Sequence, residues 1–214
     1  MRDNNNLREI FHITHIRNLP GVIRSGGLWS DTERLKQKLN TTSIAHQHIK
    51  DRRARKMVDK AAFGFLSDYV PFYFAPRSPM LYAIKCGFVE GCEDGQEAVI
   101  HLVSTIDLAI ETGNAWCYTD GHAEMRITRF FDELEKIDEV VDWRLMKNQF
   151  WFDTDTDPNR KWRRQAEFLV HRFFPFESII EIGVIDRESA AKVEETVGNL
   201  EYKPAVKVRR GWYY

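Results

Sequence analysis

Cysteine is scarce in this chain of 214 residues: Cys86, Cys92 and Cys117 are an odd number and form no Cys-x-x-Cys pair. That usage predicts no disulfide framework and fits a reducing, cytoplasmic setting. Charge of one sign is also lacking. The formal net charge is -1, which excludes a uniformly basic nucleic-acid binder but leaves room for a local patch. No apolar run is long enough to span a membrane, and the polar N-terminal stretch predicts no signal peptide. There is no Walker loop, no GxGxxG, no GxSxG, no internal repeat and no linker-like stretch. The run Asp153 to Asn159 begins like a calcium loop, but Pro158 stands where glycine is needed and Arg164 where the bidentate glutamate belongs. A surface loop with Asx turns is predicted instead. His12 and His15, three apart on a predicted strand, point to opposite faces, so no metal pair is expected.

What is present is a core-forming composition, with 43% hydrophobic and 13% aromatic residues. The length fits one domain over residues 1–214. Strands are predicted at 8–14, 97–104, 115–119, 166–170, 178–185 and 206–209. Asn18 is placed to cap a short helix through Arg24, closed by Gly26-Gly27. Further helices are predicted over 44–58, from Pro79 to Ile84, over 106–112, over 128–146 from the spacing of Phe130, Phe131, Leu134, Ile137, Val141 and Leu145, and over 187–200. Pro71 argues for an edge or strand-start position.

Glu167 is the residue that organises the functional reading. It puts one carboxylate into the apolar run Ala166 to Val170, where a charge costs free energy unless it is paired or used. Arg160, Lys161, Arg163 and Arg164 precede it and suit a polyanion; a strand-edge acid paired to a nearby arginine is the plainer alternative. The helix over 44–58 is basic through Lys50, Arg52, Arg53, Arg55 and Lys56, which serves either as solvated surface or as a phosphate site. The stretch 67–82 interleaves aromatics and prolines with Arg77; such a rigid turn either fills a core or stacks a base. His122 follows the Asp120-Gly121 turn and reads equally as a helix-start or a site residue.

Four blocks in this order resemble the DarT family of DNA ADP-ribosyltransferase toxins, in its thymidine-modifying branch. They are His12-Ile13-Thr14-His15, the segment from Asp68 to Leu81, Thr119-Asp120-x-His122, and Gln165-Ala166-Glu167. The resemblance runs over nearly the whole chain, to Gly211-Trp212-Tyr213-Tyr214. It implies an α/β (α+β) ADP-ribosyltransferase-like fold, with two facing, mostly antiparallel sheets, surrounding helices and an NAD cleft between them. It implies a toxin of a toxin–antitoxin system that moves ADP-ribose from NAD, consumed as co-substrate without a metal, to a thymine base in single-stranded DNA. A macrodomain antitoxin, DarG-like, is the implied partner.

Carried over residue by residue, the resemblance makes Glu167 and Arg53 catalytic. It assigns His12, Ile13, Thr14, Gly21, Trp29 and Arg53 to NAD, and His122 to the DNA side. Arg77, Met80 and Arg164 are expected to join His122 there. Two other readings stand beside this one: an ADP-ribosyltransferase acting on protein or RNA, and a non-enzymatic nucleic-acid-binding protein that needs neither NAD nor Glu167.

Overall fold

Strands rich in β-branched and aromatic residues carry the fold, and helices of four to eleven residues fill the turns between them. In the computed structural model, which describes residues 8–42, 44, 47–89 and 92–214, the strands are β1 (Glu9–His15), β2 (Gly27–Trp29), β3 (Tyr69–Tyr73), β4 (Val99–Thr105), β5 (Trp116–His122), β6 (Phe130–Phe131), β7 (Ala166–His171), β8 (Phe173–Pro175), β9 (Glu181–Val184) and β10 (Ala205–Val208). The helices are α1 (Leu19–Arg24), α2 (Asp31–Lys36), α3 (Gln47–Arg53), α4 (Pro79–Lys85), α5 (Ile106–Glu111), α6 (Ile137–Val140), α7 (Trp143–Met146), α8 (Arg160–Arg164) and α9 (Arg187–Val197).

Eight strands lie in the order β10-β9-β4-β1-β3-β7-β5-β6, and β2 pairs with β8 in a separate ribbon. Every pairing is antiparallel except β9 with β10. The large sheet has a seam. β1 matches β4 over seven residue pairs, but it meets β3 only at Phe11 and Tyr73. The two expected sheets are therefore two four-stranded halves joined at one point, and they part to leave a cleft.

The core lies where both halves turn inward. All seven residues of β4 are buried, and Ile10, Phe72, Phe168, Phe174 and Ile182 are fully enclosed, with Val193 and Val197 of α9 packed against them. Each such side chain contributes on the order of 1.5–3 kcal/mol by leaving water.

Several expected elements take a different form. Asn18 does not cap α1: its amide donates to the Thr14 hydroxyl and the Thr42 carbonyl, and its carbonyl accepts the Thr42 N–H. Pro71 is the third residue of an interior strand. It is tolerated because its carbonyl faces β1, so its missing N–H also lies on the seam side, where the ladder is absent. The basic helix is Gln47–Arg53 alone, and residues 45 and 46 of that expectation lie outside the described residues. The single helix expected over 128–146 is instead β6, a 3-10 turn, α6 and α7. Phe130 and Phe131 pair with Thr119 and Tyr118, so sheet contacts override a helical spacing. β5 does not stop at Thr119; it continues through a register shift to His122. The strand expected over 178–185 is Glu181–Val184, preceded by a 3-10 turn.

Candidate active site

The cleft at the seam is a cavity of about 490 Å³. That volume lies within the range of small-molecule sites. β1 supplies one wall. His12 faces in, and its Nδ1 stands 2.8 Å from the Pro71 carbonyl oxygen. A carbonyl only accepts, so Nδ1 carries the proton and Nε2 of the neutral ring is an acceptor. Burial pushes the imidazole below its ordinary pKa, partly opposed by the Pro71 carbonyl, so the ring is neutral near pH 7. His15 is buried elsewhere, against Asp94, with its Nδ1 accepting the Arg17 N–H.

The second wall comes from α1 and the β2 ribbon. Gly21 lines the cavity, and a Cβ built there would meet nothing within 4 Å. The empty protein therefore gives no packing reason for glycine, whereas a ligand against the backbone does. Trp29 is held by its indole N–H on the Ser25 carbonyl at 3.1 Å, with Phe173 behind it at 4.3 Å between ring centroids. The Asn18–Thr42 bonds and the Arg34 bond to the Thr41 hydroxyl at 2.6 Å draw the segment after α2 over the rim.

The floor holds the acid. Glu167 lies on β7 opposite Tyr73 of β3, and is 4% exposed. Its main-chain N–H donates to the Thr119 hydroxyl at 2.9 Å. Nη1 of Arg53, at the end of α3, donates to both carboxylate oxygens, at 2.9 and 3.2 Å. Burial alone would lower the pKa of Arg53, but the Glu167 carboxylate outweighs it and the guanidinium is held above its ordinary value. The Tyr73 phenol is pushed up by burial and then by Glu167. The floor and the β1 wall thus bring together the Glu167 carboxyl group, the locked Arg53 cation, the neutral His12 imidazole and the un-ionised Tyr73 phenol.

A family model described as "DarT: ssDNA thymidine ADP-ribosyltransferase, DarT" matches residues 11–214. The chain belongs to the DarT family. A protein of Thermus aquaticus named DNA ADP-ribosyl transferase is 40% identical over 207 residues, covering 96% of this chain and 88% of that protein. The structure of Thermus sp. 2.9 DarT in complex with ADP-ribosylated ssDNA superposes with a TM-score of 0.89 at 38% identity, covering 97% of this chain and 96% of that one. The same Thermus protein in complex with NAD+ gives a TM-score of 0.85 at 35% identity, over 98% of each chain. A Thermosipho africanus protein named as a fusion of a DNA ADP-ribosyl transferase and a DNA ADP-ribosyl glycohydrolase is 29% identical over 90% of this chain and 46% of its own length.

Against the DarT resemblance, His12, Ile13, Thr14, Gly21, Trp29, Arg53 and Glu167 all line the one cleft, and Met80 joins them. His122 ends β5 opposite Ala166, next to Glu167. Its Nδ1 accepts the Glu124 N–H at 3.2 Å, so Nε2 bears the proton in the neutral ring. Burial lowers its pKa, with Glu167 and Glu124 pulling the other way.

Arg164 and Arg77 do not reach the cleft. Arg164 is 2% exposed, and its guanidinium donates to the carbonyls of Arg77, Leu145, Met146 and Asn148. Burial brings its pKa down to about 10. A guanidinium so engaged ties the segment 145–148 to Arg77, and at 2% exposure it is not presented to a DNA phosphate. Arg77 lies over the Tyr214 ring, 4.4 Å from the centroid. Two more cations of the run before Glu167 are tied up internally, since Arg163 pairs with Asp157 and Asp142, and Arg160 with Asp157 and the Phe150 carbonyl, while Lys161 is exposed. Sequence reasoning missed Tyr73, Asn18 and Thr119. Tyr73 sits inside the aromatic block already singled out, and Thr119 inside the Thr119-Asp120-x-His122 block; Asn18 was read as a cap because its loop partner lies 24 residues away.

Proposed function

We propose that this chain transfers ADP-ribose from NAD+ to a thymidine base of single-stranded DNA, releasing nicotinamide, and that Glu167 and Arg53 carry the chemistry. The observation that carries the residue assignment is the buried Glu167–Arg53 pair on the floor of a dinucleotide-sized cleft. His12 Nε2 accepts a hydrogen bond from a sugar hydroxyl, and the main chain at Ile13 and Thr14 takes the carboxamide. Gly21 and Trp29 flank the rest of the dinucleotide. Glu167 offsets the positive charge that develops on the ribose carbon as the nicotinamide bond breaks, as in sugar hydrolysis. Arg53 does not act as a base, because a guanidinium has no acceptor and stays protonated. Its role is to hold an oxygen-rich group with Nη2, which is buried without a partner among the described residues. His122 and Met80 face the incoming base. The single domain acts in the cytoplasm, and its partner is a macrodomain antitoxin of the DarG type that removes the mark; the fused glycohydrolase of the Thermosipho relative supports that pairing.

The test is incubation with labelled NAD+ and, separately, thymine-containing single strands, thymine-free single strands, duplex DNA, RNA and bulk protein, followed by mass spectrometry. Label confined to thymine-containing single strands is expected. Equal labelling of thymine-free strands, or label on protein or RNA alone, overturns the reading.

A further inference from the structure

A second cavity, of about 650 Å³, shares no lining residue with the cleft. The two share β1 between them: His12, Ile13 and Thr14 line the cleft, while Glu9 and Phe11 line the second cavity. Its floor is cationic. Arg164 has only carbonyl partners, and Arg77 has an aromatic ring rather than a carboxylate beneath it. Among the described residues neither forms an ion pair. The two guanidiniums are near enough that Arg77 depresses the pKa of Arg164. Lys147 stands on the rim. The carboxylates on this cavity are Asp138, which is bound by Arg8, and Glu9.

Two residues that line it, Arg77 and Trp143, each carry a buried donor, Nε and Nε1, with no acceptor among the described residues. Buried polar groups are rarely left so, and two on one cavity with uncompensated positive charge call for an anionic acceptor. The other walls are rings: Trp143 against Phe74 at 5.4 Å, and Trp212 against Phe11 at 5.2 Å. A bare phosphate would leave that aromatic surface uncovered. A phosphate joined to a flat heterocycle uses both features.

We propose that this cavity is a second binding site for a nucleotide unit, its phosphate taken by Arg77 and Lys147 and its base set against Trp143. The unit is either a free mononucleotide or one nucleotide of a single strand that passes this face. The chemistry is the same in both cases and is independent of the reaction in the cleft.

The experiment is equilibrium dialysis of labelled dTMP against the full chain, with and without excess ADP-ribose, whose own binding is measured in the same cell. One equivalent of dTMP should remain bound in the presence of ADP-ribose. Trp143→Phe, which keeps a ring and removes the orphan N–H, and Lys147→Gln, at an exposed position, should each weaken dTMP at least fivefold. NAD+ hydrolysis in both variants should match the parent, which separates this site from the cleft. Titration with a thymidine decamer then assigns the source. Loss of decamer affinity in the same variants marks a strand nucleotide, and unchanged affinity marks a free one; both uphold the site. Displacement of dTMP by ADP-ribose, indifference to both substitutions, or stronger competition by polyglutamate than by inorganic phosphate overturns it.

Discussion

Arg53 and Glu167 form a one-sided ion pair. A single nitrogen, Nη1, serves both carboxylate oxygens, while Nη2 is buried with no partner among the described residues. The pair is complete enough to fix the acid's position in a dry place, and incomplete enough to leave a donor for substrate.

Removing either half tests both statements. Glu167→Gln keeps the shape and should lower transfer to thymidine at least a hundredfold. Glu167→Ala should also strand the buried Arg53 charge and destabilise the fold by about 3 kcal/mol. Adding Arg53→Ala should recover part of that stability and none of the activity. Urea unfolding of the two single variants and the double variant, with oligonucleotide mass spectrometry, reads the cycle. Additive losses of stability would mean that the two groups do not interact.

Lysine at position 53 separates charge from geometry. Arg53→Lys keeps a cation but has no planar fork, so it cannot hold Glu167 and present a second nitrogen in the same plane. Turnover of NAD+ should stay within a few-fold of that of Arg53→Ala. Full rescue by lysine would reduce the role of Arg53 to charge alone.

Gly21→Val probes the cleft wall without touching the core. The new side chain enters open space, so the melting temperature should change by no more than about 1–2 °C, as for an innocuous surface change. The Michaelis constant for NAD+ should rise at least tenfold if the dinucleotide occupies the proposed position, because the added atoms enter that part of the cleft. Unaltered NAD+ kinetics would remove Gly21 from the binding wall.

Arg164→Met should act on stability rather than on DNA. It leaves the carbonyls of Arg77, Leu145, Met146 and Asn148 without their donor, at a cost of about 3 kcal/mol or more. Thermal unfolding should shift down while the salt dependence of oligonucleotide binding stays the same. A changed salt slope with normal stability would restore Arg164 as a phosphate contact.

His101 sets an acid limit. It is fully buried, with Nε2 on the Pro76 carbonyl and Nδ1 on the Tyr213 hydroxyl, and burial lowers its pKa to about 4. The unfolded chain, with an imidazole near 6.5, binds the proton more readily. Stability is therefore whole above about pH 6.5 and declines as pH falls toward 4, by roughly 3 kcal/mol from this residue. Below 4 both states are protonated and this contribution is flat. Melting temperature against pH for the parent and His101→Gln checks it, since the variant should lose the slope in that window.

How much of this was legible in the sequence depended on distance along the chain. β7 was readable because Ala166 to Val170 is a local apolar run, and Glu167 stood out against it. His12 and His15 were correctly sent to opposite faces because strand geometry has a period of two. Arg164 was misread because a run of four cations looks the same whether water or carbonyls surround it, and the carbonyls come from residues 16 to 87 positions away. Phe130 and Phe131 fit a helical spacing equally well; only their pairing with β5 decides the matter. The cleft itself could be placed only through the family resemblance, because the seam between β1 and β3 leaves no mark in either strand alone.

That seam has a kinetic consequence. A sheet is normally most protected at its centre, where each strand is bonded on both sides. Here the middle junction carries a single matched pair, Phe11 with Tyr73, while β4 and β7 are laddered along both edges. The slowest amide hydrogens to exchange with solvent should thus form two separate zones, one around Val103 and one around Leu169, with a faster belt between them along the facing edges of β1 and β3. A ligand seated in the cleft bridges that belt, so the gain in protection on binding falls in the middle of the sheet rather than at its rim.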